Sequence, residues 1–232
     1  MSGKRIALLA LALIATVGFV ALGVWQIERL GWKLDLIAAV DARVKAPPSA
    51  LPPPADWAAM NATDDEYRHV QVHGTLLHCE TLVQALTELG GGYWVMTPLQ
   101  TVDGIVLINR GFVPSDRRDS ATRAAQPGGP VTVTGLLRMS EPGGGFLRPN
   151  DPKDGRWYSR DVPAIANACG LAKVAPFFID ADATANPGGS PVGGLTVIAF
   201  SNNHLLYAII WFGLALLSAV GSALMLRSAK LR

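Results

Sequence analysis

Two cysteines, Cys79 and Cys169, are all that the 232 residues contain, and no C-x-x-C spacing exists. That removes the main signature of thioredoxin-like redox work and of thiol-based copper transfer. The pair is able to form one disulfide in an oxidising compartment, and sequence separation alone leaves this open. Catalytic motifs are missing as well. There is no G-x-S-x-G elbow, no H-E-x-x-H and no recognisable pair of acids, so nothing here supports an enzyme. The glycine-rich stretch Pro142–Gly145 is followed by neither a helix nor a Lys-Ser/Thr pair, which excludes a phosphate cradle and leaves a hairpin. No basic stripe exists either, which argues against a nucleic-acid partner.

Charge is scarce, at 16% of residues against 50% hydrophobic ones, and two runs carry none at all. Ile6–Ile27 and Leu205–Leu226 are each 22 residues without a charged side chain. At about 1.5 Å of rise per residue, each makes roughly 33 Å of helix, enough to cross a bilayer core. The first run is longer than a signal-peptide core, and Ala21-Leu22-Gly23 is a weak cleavage signal, so an uncleaved anchor is expected over a signal peptide. Lys4 and Arg5 precede the first span, and Arg227, Lys230 and Arg232 follow the second. Residues 1–5 and 227–232 are therefore expected as cytoplasmic tails, spans at 6–27 and 204–226, and the 176 residues between them outside. The short start lacks the Arg-rich, Ser-rich character of a mitochondrial presequence, so a multi-pass protein of a bacterial inner membrane, lipid its solvent, is the expectation. With those five basic residues set apart, the loop holds 15 Lys and Arg against 18 Asp and Glu, a net of about −3.

Within residues 28–203, apolar residues at helical spacing continue the first helix to about Lys45, where Pro47 and Pro48 stop it. Strands are expected at Glu66–Leu77, Glu80–Leu86, Tyr93–Pro98, Ile105–Phe112, Val131–Met139, Arg156–Ser159, Phe177–Asp180 and Leu195–Phe200. Gly90–Gly92, Asp103-Gly104, residues 128–130 and Pro142–Gly145 read as turns. One short helix fits Val162–Cys169, with Asp161 as N-cap and Gly170 after its end. The fold class is thus two transmembrane helices flanking an α+β, mainly antiparallel β domain, a sandwich or a partly closed barrel.

Four groups of residues compete for chemistry. His69, His73, His78 and Cys79 suggest a metal, but on a strand His69 and His73 sit about 13 Å apart at roughly 3.3 Å per residue, too far for one ion; a solvated face is the plainer reading. Trp25, at the end of the first span, and Arg29 and Lys33 after it stand four residues apart. They form either an interfacial belt or a site for an acidic ligand group. Arg110, at the end of the most hydrophobic strand, is either a structural ion-pair partner or a carboxylate binder. His204 follows Ser201-Asn202-Asn203, residue types that cap helices, and opens the second span with Tyr207, Ala208 and Trp211 one and two turns on. A histidine there is either a neutral interfacial residue or the axial ligand of a flat hydrophobic cofactor such as haem. Ala215, Ala219 and Ala223 add small-xxx-small spacing for close helix contact.

An ordered set of short motifs resembles the surfeit locus protein 1 family. It comprises Gly23-Val24-Trp25-Gln26 with Arg29 and Lys33, Tyr67-Arg68 with Val70 and Gly74, and Gly92-Tyr93 with Thr97-Pro98-Leu99. It continues with Asn109-Arg110-Gly111-Phe112-Val113-Pro114, Trp157-Tyr158 with Asp161, and Asn203-His204-Leu205 with Tyr207-Ala208 and Trp211-Phe212. The resemblance implies a membrane protein that assists cytochrome c oxidase assembly by placing haem a into subunit I, with haem a synthase as a further partner. It makes His204 the axial ligand to haem iron. Tyr207, Trp211 and Trp25 are then expected beside the ring, and Arg29 and Arg110 as propionate partners. The family's usual Trp after Arg-Gly is Phe112 here. A structural chaperone that holds subunit I through its spans, with no cofactor, is the alternative.

Overall fold

The computed structural model describes residues 3–184 and 186–230; Met1, Ser2, Leu231 and Arg232, the outermost residues of the expected tails, lie outside them, as does Ala185. Helix α1 (Gly3–Lys45) runs unbroken from the apolar span into the amphipathic continuation. It ends two residues before Pro47, since the residue ahead of a proline disfavours helical backbone. After it come β1 (Ser49–Ala50), α2 (Ala62–Asp65), β2 (His69–Leu76), β3 (Thr81–Thr87), β4 (Gly90–Gln100), β5 (Ile105–Pro114) and β6 (Pro130–Met139). Then follow α3 (Val162–Ala168), β7 (Val174–Ala181) and α4 (His204–Lys230). The chain divides into two compact units. One is residues 1–39 with 198–232, the other residues 40–197.

In the first unit, two helices pair antiparallel. The least exposed positions of α1 recur at steps of three and four: Ala12, Thr16, Phe19, Gly23, Gln26, Leu30 and Lys33. On α4 the matching positions are His204, Ala208, Trp211, Ala215, Ser218 and Ser222. A 3.5-residue repeat on both partners is the seam of a left-handed helix pair. Phe19 stacks on Trp211 with centroids 5.8 Å apart. Ser218 donates to the carbonyl of Ala12 at 3.0 Å, and Thr16 donates to Ser218 at 3.0 Å. The small-residue expectation is corrected in part: Ala208 and Ala215 lie in the seam, whereas Ala219 and Ala223 are exposed. The 3.5 repeat selects steps of three as well as four, and a strict i, i+4 stripe drifts off it.

The second unit is a closed barrel. The sheet order β1-β2-β6-β7-β5-β4-β3 is completed by a further pairing of β2 with β4, Thr75 opposite Gln100 and Leu76 opposite Leu99. Five strands therefore form a ring, β2-β6-β7-β5-β4, with β1 and β3 added outside it. Closure leaves the five ring strands paired on both sides, which removes the exposed edges of an open sheet. Only β5–β7 is parallel within the ring. Val70, Val72, Leu99, Val106, Ile108, Phe177 and Ile179 fill one core. The alternate residues Leu107 and Phe178 face outward and are covered by Ile165 and Val162 of α3 with Trp157, Val83 and Met96. Strand β5 is buried on both faces for this reason, which explains its continuous apolar run.

Asp161 caps α3 by accepting from Ala164 N–H at 3.1 Å, with Gly170 at φ +63 beyond its end, as the residue types predict. Three expectations are corrected. Leu195–Phe200 forms no strand but an extended lead into α4. Arg156–Ser159 contributes only isolated bridges, Trp157 to Val83 and Arg156 to Asp151. Gly90–Gly92 lies inside β4 rather than in a turn, because a side chain at 92 would meet the Val113 carbonyl oxygen at 2.2 Å. Cys79 and Cys169 form a disulfide, Cα atoms 6.0 Å apart, across 90 residues of sequence.

Candidate functional site

His204 is the first residue of α4 and half-buried against α1. Its Nδ1 lies 2.7 Å from Oε1 of Gln26, itself buried on the facing helix. A carbonyl oxygen accepts a hydrogen bond, so Nδ1 carries a hydrogen, and the tautomer this selects has its lone pair on Nε2. Such an amide–imidazole contact is how proteins orient a histidine for metal binding, the second nitrogen being held so the first is free. Among the described residues, Nε2 makes no hydrogen bond. The capping expectation fails here: no side chain of Ser201–Asn203 bonds to the first turn, and the Asn203 carbonyl takes the Tyr207 N–H at 3.1 Å instead.

At about 100° per residue, helical geometry divides the neighbours of this pair. Gly23 and Phe212 lie on one side of the seam, where a Cβ at 23 would meet the Phe212 ring at 2.7 Å. Trp25, Arg29, Trp32 and Tyr207 lie on the other. Trp25 and Tyr207 are each half exposed, and the Arg29 guanidinium sits 4.5 Å over the Trp32 ring, a cation–π contact. Lys33 sits 5.0 Å over Phe200. One flank of the helix pair therefore carries three exposed aromatic rings, Trp25, Trp32 and Tyr207, and a cation beside an oriented imidazole. Trp211 is not free on that flank, since it is stacked on Phe19 within the seam. Sequence reasoning quoted Gln26 and gave it no role. An amide at the penultimate position of an apolar span was the available signal, because an unpaired polar group there is costly.

Arg110 lies in the barrel unit and is buried at 6% exposure. Between paired positions β5 has two residues, Arg110 and Gly111, where β4 has one, Val95. This bulge contains Gly111 at φ +127, where a Cβ would stand 2.2 Å from the Val192 carbonyl oxygen. Only glycine fits, and the bulge sets the direction of the preceding side chain. The other histidines are engaged separately. His69 Nδ1 is 2.8 Å from the Ala46 carbonyl, His73 Nδ1 2.7 Å from Thr132 Oγ1, and His78 Nδ1 3.4 Å from the Gln126 amide. Cys79 is in the disulfide.

Beside Asn109, a charged network ties the barrel wall together. The Asp180 carboxylate accepts from Asn109 Nδ2 at 2.7 Å, Arg138 at 2.9 Å, Arg160 at 3.0 Å and Thr196 at 3.0 Å. Glu66 and Glu141 take the remaining faces of the two arginines. Burial opposes the charge on Arg138, but Asp180 and Glu66 more than offset it and hold its pKa above the ordinary value. Burial likewise works against Glu141, and Arg160 overrides it, so that the carboxyl lies below its ordinary range. Every charge here has a partner, which marks a structural network.

A model of the SURF1 family matches residues 13–216. Surfeit locus protein 1 of Rattus norvegicus is 37% identical over 212 residues, covering 83% of this chain and 67% of the rat protein. The Homo sapiens protein of the same name is 37% identical over 84% of this chain and 69% of its own length. A SURF1-like protein of Monosiga brevicollis is 36% identical over 84% of this chain and 78% of its own.

Proposed function

The chain belongs to the SURF1 family, and on that premise we propose that it assists cytochrome c oxidase assembly by holding haem a at His204 for insertion into subunit I. The observation that carries this reading is the 2.7 Å contact between His204 Nδ1 and Gln26 Oε1. It occupies Nδ1 and leaves Nε2 as the nitrogen able to bind iron. The donor set suits a haem: one nitrogen ligand, exposed aromatic rings at Trp25 and Tyr207, and Arg29 for a propionate. Trp211 contributes indirectly, by fixing the helix pair against Phe19 so that His204 and Gln26 stay in register. A single ligand at an exposed flank suits a carrier, because cargo held by few contacts is released to its destination.

The Cys79–Cys169 disulfide supports a loop domain on the oxidising side of the membrane. With the basic tails this agrees with both termini in the cytoplasm and the barrel in the periplasm. Co-expression with haem a synthase, followed by purification and haem quantification, tests the ligand. Wild type is expected to retain haem a and His204→Ala to lose it, with equal yields of folded protein. Equal haem occupancy would sink the assignment.

A second reading, a scaffold that holds subunit I without cofactor, is favoured by one observation. Ala219 and Ala223 face away from α1, leaving a narrow helix surface for another helix. It predicts that His204→Ala leaves the haem content of the assembled oxidase normal.

A further inference from the structure

Two guanidiniums and one carboxylate meet in the barrel unit without balancing. The Arg123 side chain, 3% exposed, clamps Glu80 with both terminal nitrogens. Its Nε is buried with no hydrogen-bond partner among the described residues. Arg110 is as deeply buried, yet no carboxylate lies within salt-bridge distance of it among the described residues. Among the described residues its side chain makes one hydrogen bond, a long one of 3.4 Å to Asn186 Oδ1. The acid that acts on it electrostatically, Glu80, already belongs to Arg123, so one positive charge is left over among the described residues. Burial accordingly pushes the Arg110 pKa down; Glu80 opposes this and Arg123 adds to it. A buried guanidinium without a counter-charge is costly, and a bound anion relieves that cost.

Space for such an anion adjoins the pair. Arg110 and Arg123 line a cavity of about 470 Å³ together with Glu80, His78 and Gln126. That volume falls in the range of small-molecule sites. The bulge at Arg110-Gly111 is the kind of irregularity that re-aims a side chain toward a ligand. Arginine's planar fork matches carboxylate and phosphate oxygens two at a time.

We propose that this cavity is an anion site for a small ligand bearing a carboxylate or phosphate group, with Arg110 as its principal cation and the Arg123–Glu80 pair beside it. The site uses no residue of the membrane helices and stands independently of the haem reading. The test uses the full chain in detergent, purified free of haem, so failure of haem binding does not affect it. Inorganic phosphate and succinate are titrated separately by calorimetry at constant ionic strength, with chloride as reference. At least one is expected to give saturable binding and a rise in Tm. Binding by phosphate alone identifies a phosphate ligand, and by succinate alone a carboxylate. Arg110→Gln is expected to weaken binding at least tenfold. Arg110→Lys, which keeps the charge and loses the fork, is expected to fall between and serves if the glutamine variant does not fold. Absence of saturable binding by either anion to wild type would overturn the proposal, as would unchanged affinity in Arg110→Gln.

Discussion

The Oε1 atom of Gln26, seven residues beyond Phe19 on α1, holds Nδ1 of His204 at 2.7 Å. A polar group in each helix thus satisfies the other at the end of an apolar seam. This explains how a half-buried histidine is accommodated there. It also makes Gln26 the residue through which the ligand nitrogen is presented.

Gln26→Leu is therefore expected to lower haem retention about 10- to 100-fold while leaving the helix pair formed, since loss of an orienting partner weakens ligation by that order. Gln26→Asn, which keeps the amide on a shorter stem, is expected to recover part of it. Haem content and the absorption spectrum of the purified variants measure both.

The seam itself is tested by size. Ala208 is buried at 1% exposure between the helices, whereas Ala219 is exposed. Ala208→Leu is expected to overpack the pair, at a cost of about 1–3 kcal/mol, and Ala219→Leu to leave it intact. Cysteines placed at 16 and 218, whose present hydroxyls are 3.0 Å apart, report the outcome. Their cross-linking is expected to fall with Ala208→Leu and to persist with Ala219→Leu.

Asp180 joins β5, β6 and the approach to α3 through four donors, with its side chain 2% exposed. Asp180→Leu leaves Arg138 and Arg160 short of a counter-charge in the barrel wall. The expected loss is about 3–5 kcal/mol, read as a lower midpoint in urea unfolding followed by tryptophan fluorescence.

Acid is expected to unfold the barrel partly through Glu141. Arg160 keeps its folded-state pKa below the ordinary 4.5, so the unfolded chain takes up the proton first as pH falls. Its stabilising contribution is full above that value and is lost as pH drops through the folded-state one. Glu141→Gln is expected to flatten the stability profile below about pH 4.5 and to leave its shape above pH 6 unchanged. Tm measured across pH 3 to 7 decides this.

Much of this architecture was legible locally. Length and absence of charge mark the two spans, because a bilayer accepts little else. Proline at 47 and 48 marks the end of α1, and Asp161 with Gly170 brackets α3, because caps and breakers act within a few residues. Strand positions followed from alternation and from β-branched content, with errors where pairing decided the matter. Gly90–Gly92 reads as a turn until β5 is laid against it. Leu195–Phe200 reads as a strand but finds no partner.

His204 was identifiable from the sequence by its place at the head of a charge-free helix, and the family resemblance supplied its expected ligand. What the sequence alone determined is therefore one-dimensional: spans, caps, most strands and the residue that stands out. The closure of β2 on β4, the 3.5-residue seam, the Cys79–Cys169 pair and the contact from Gln26 to His204 belong to the tertiary structure. Each joins residues that lie between 23 and 206 positions apart, and no local propensity carries information over that distance. Arg110 shows the difference most plainly. Its sequence neighbours say only that an arginine ends an apolar strand, whereas its burial, the bulge beside it and the missing counter-charge exist only once the barrel has closed.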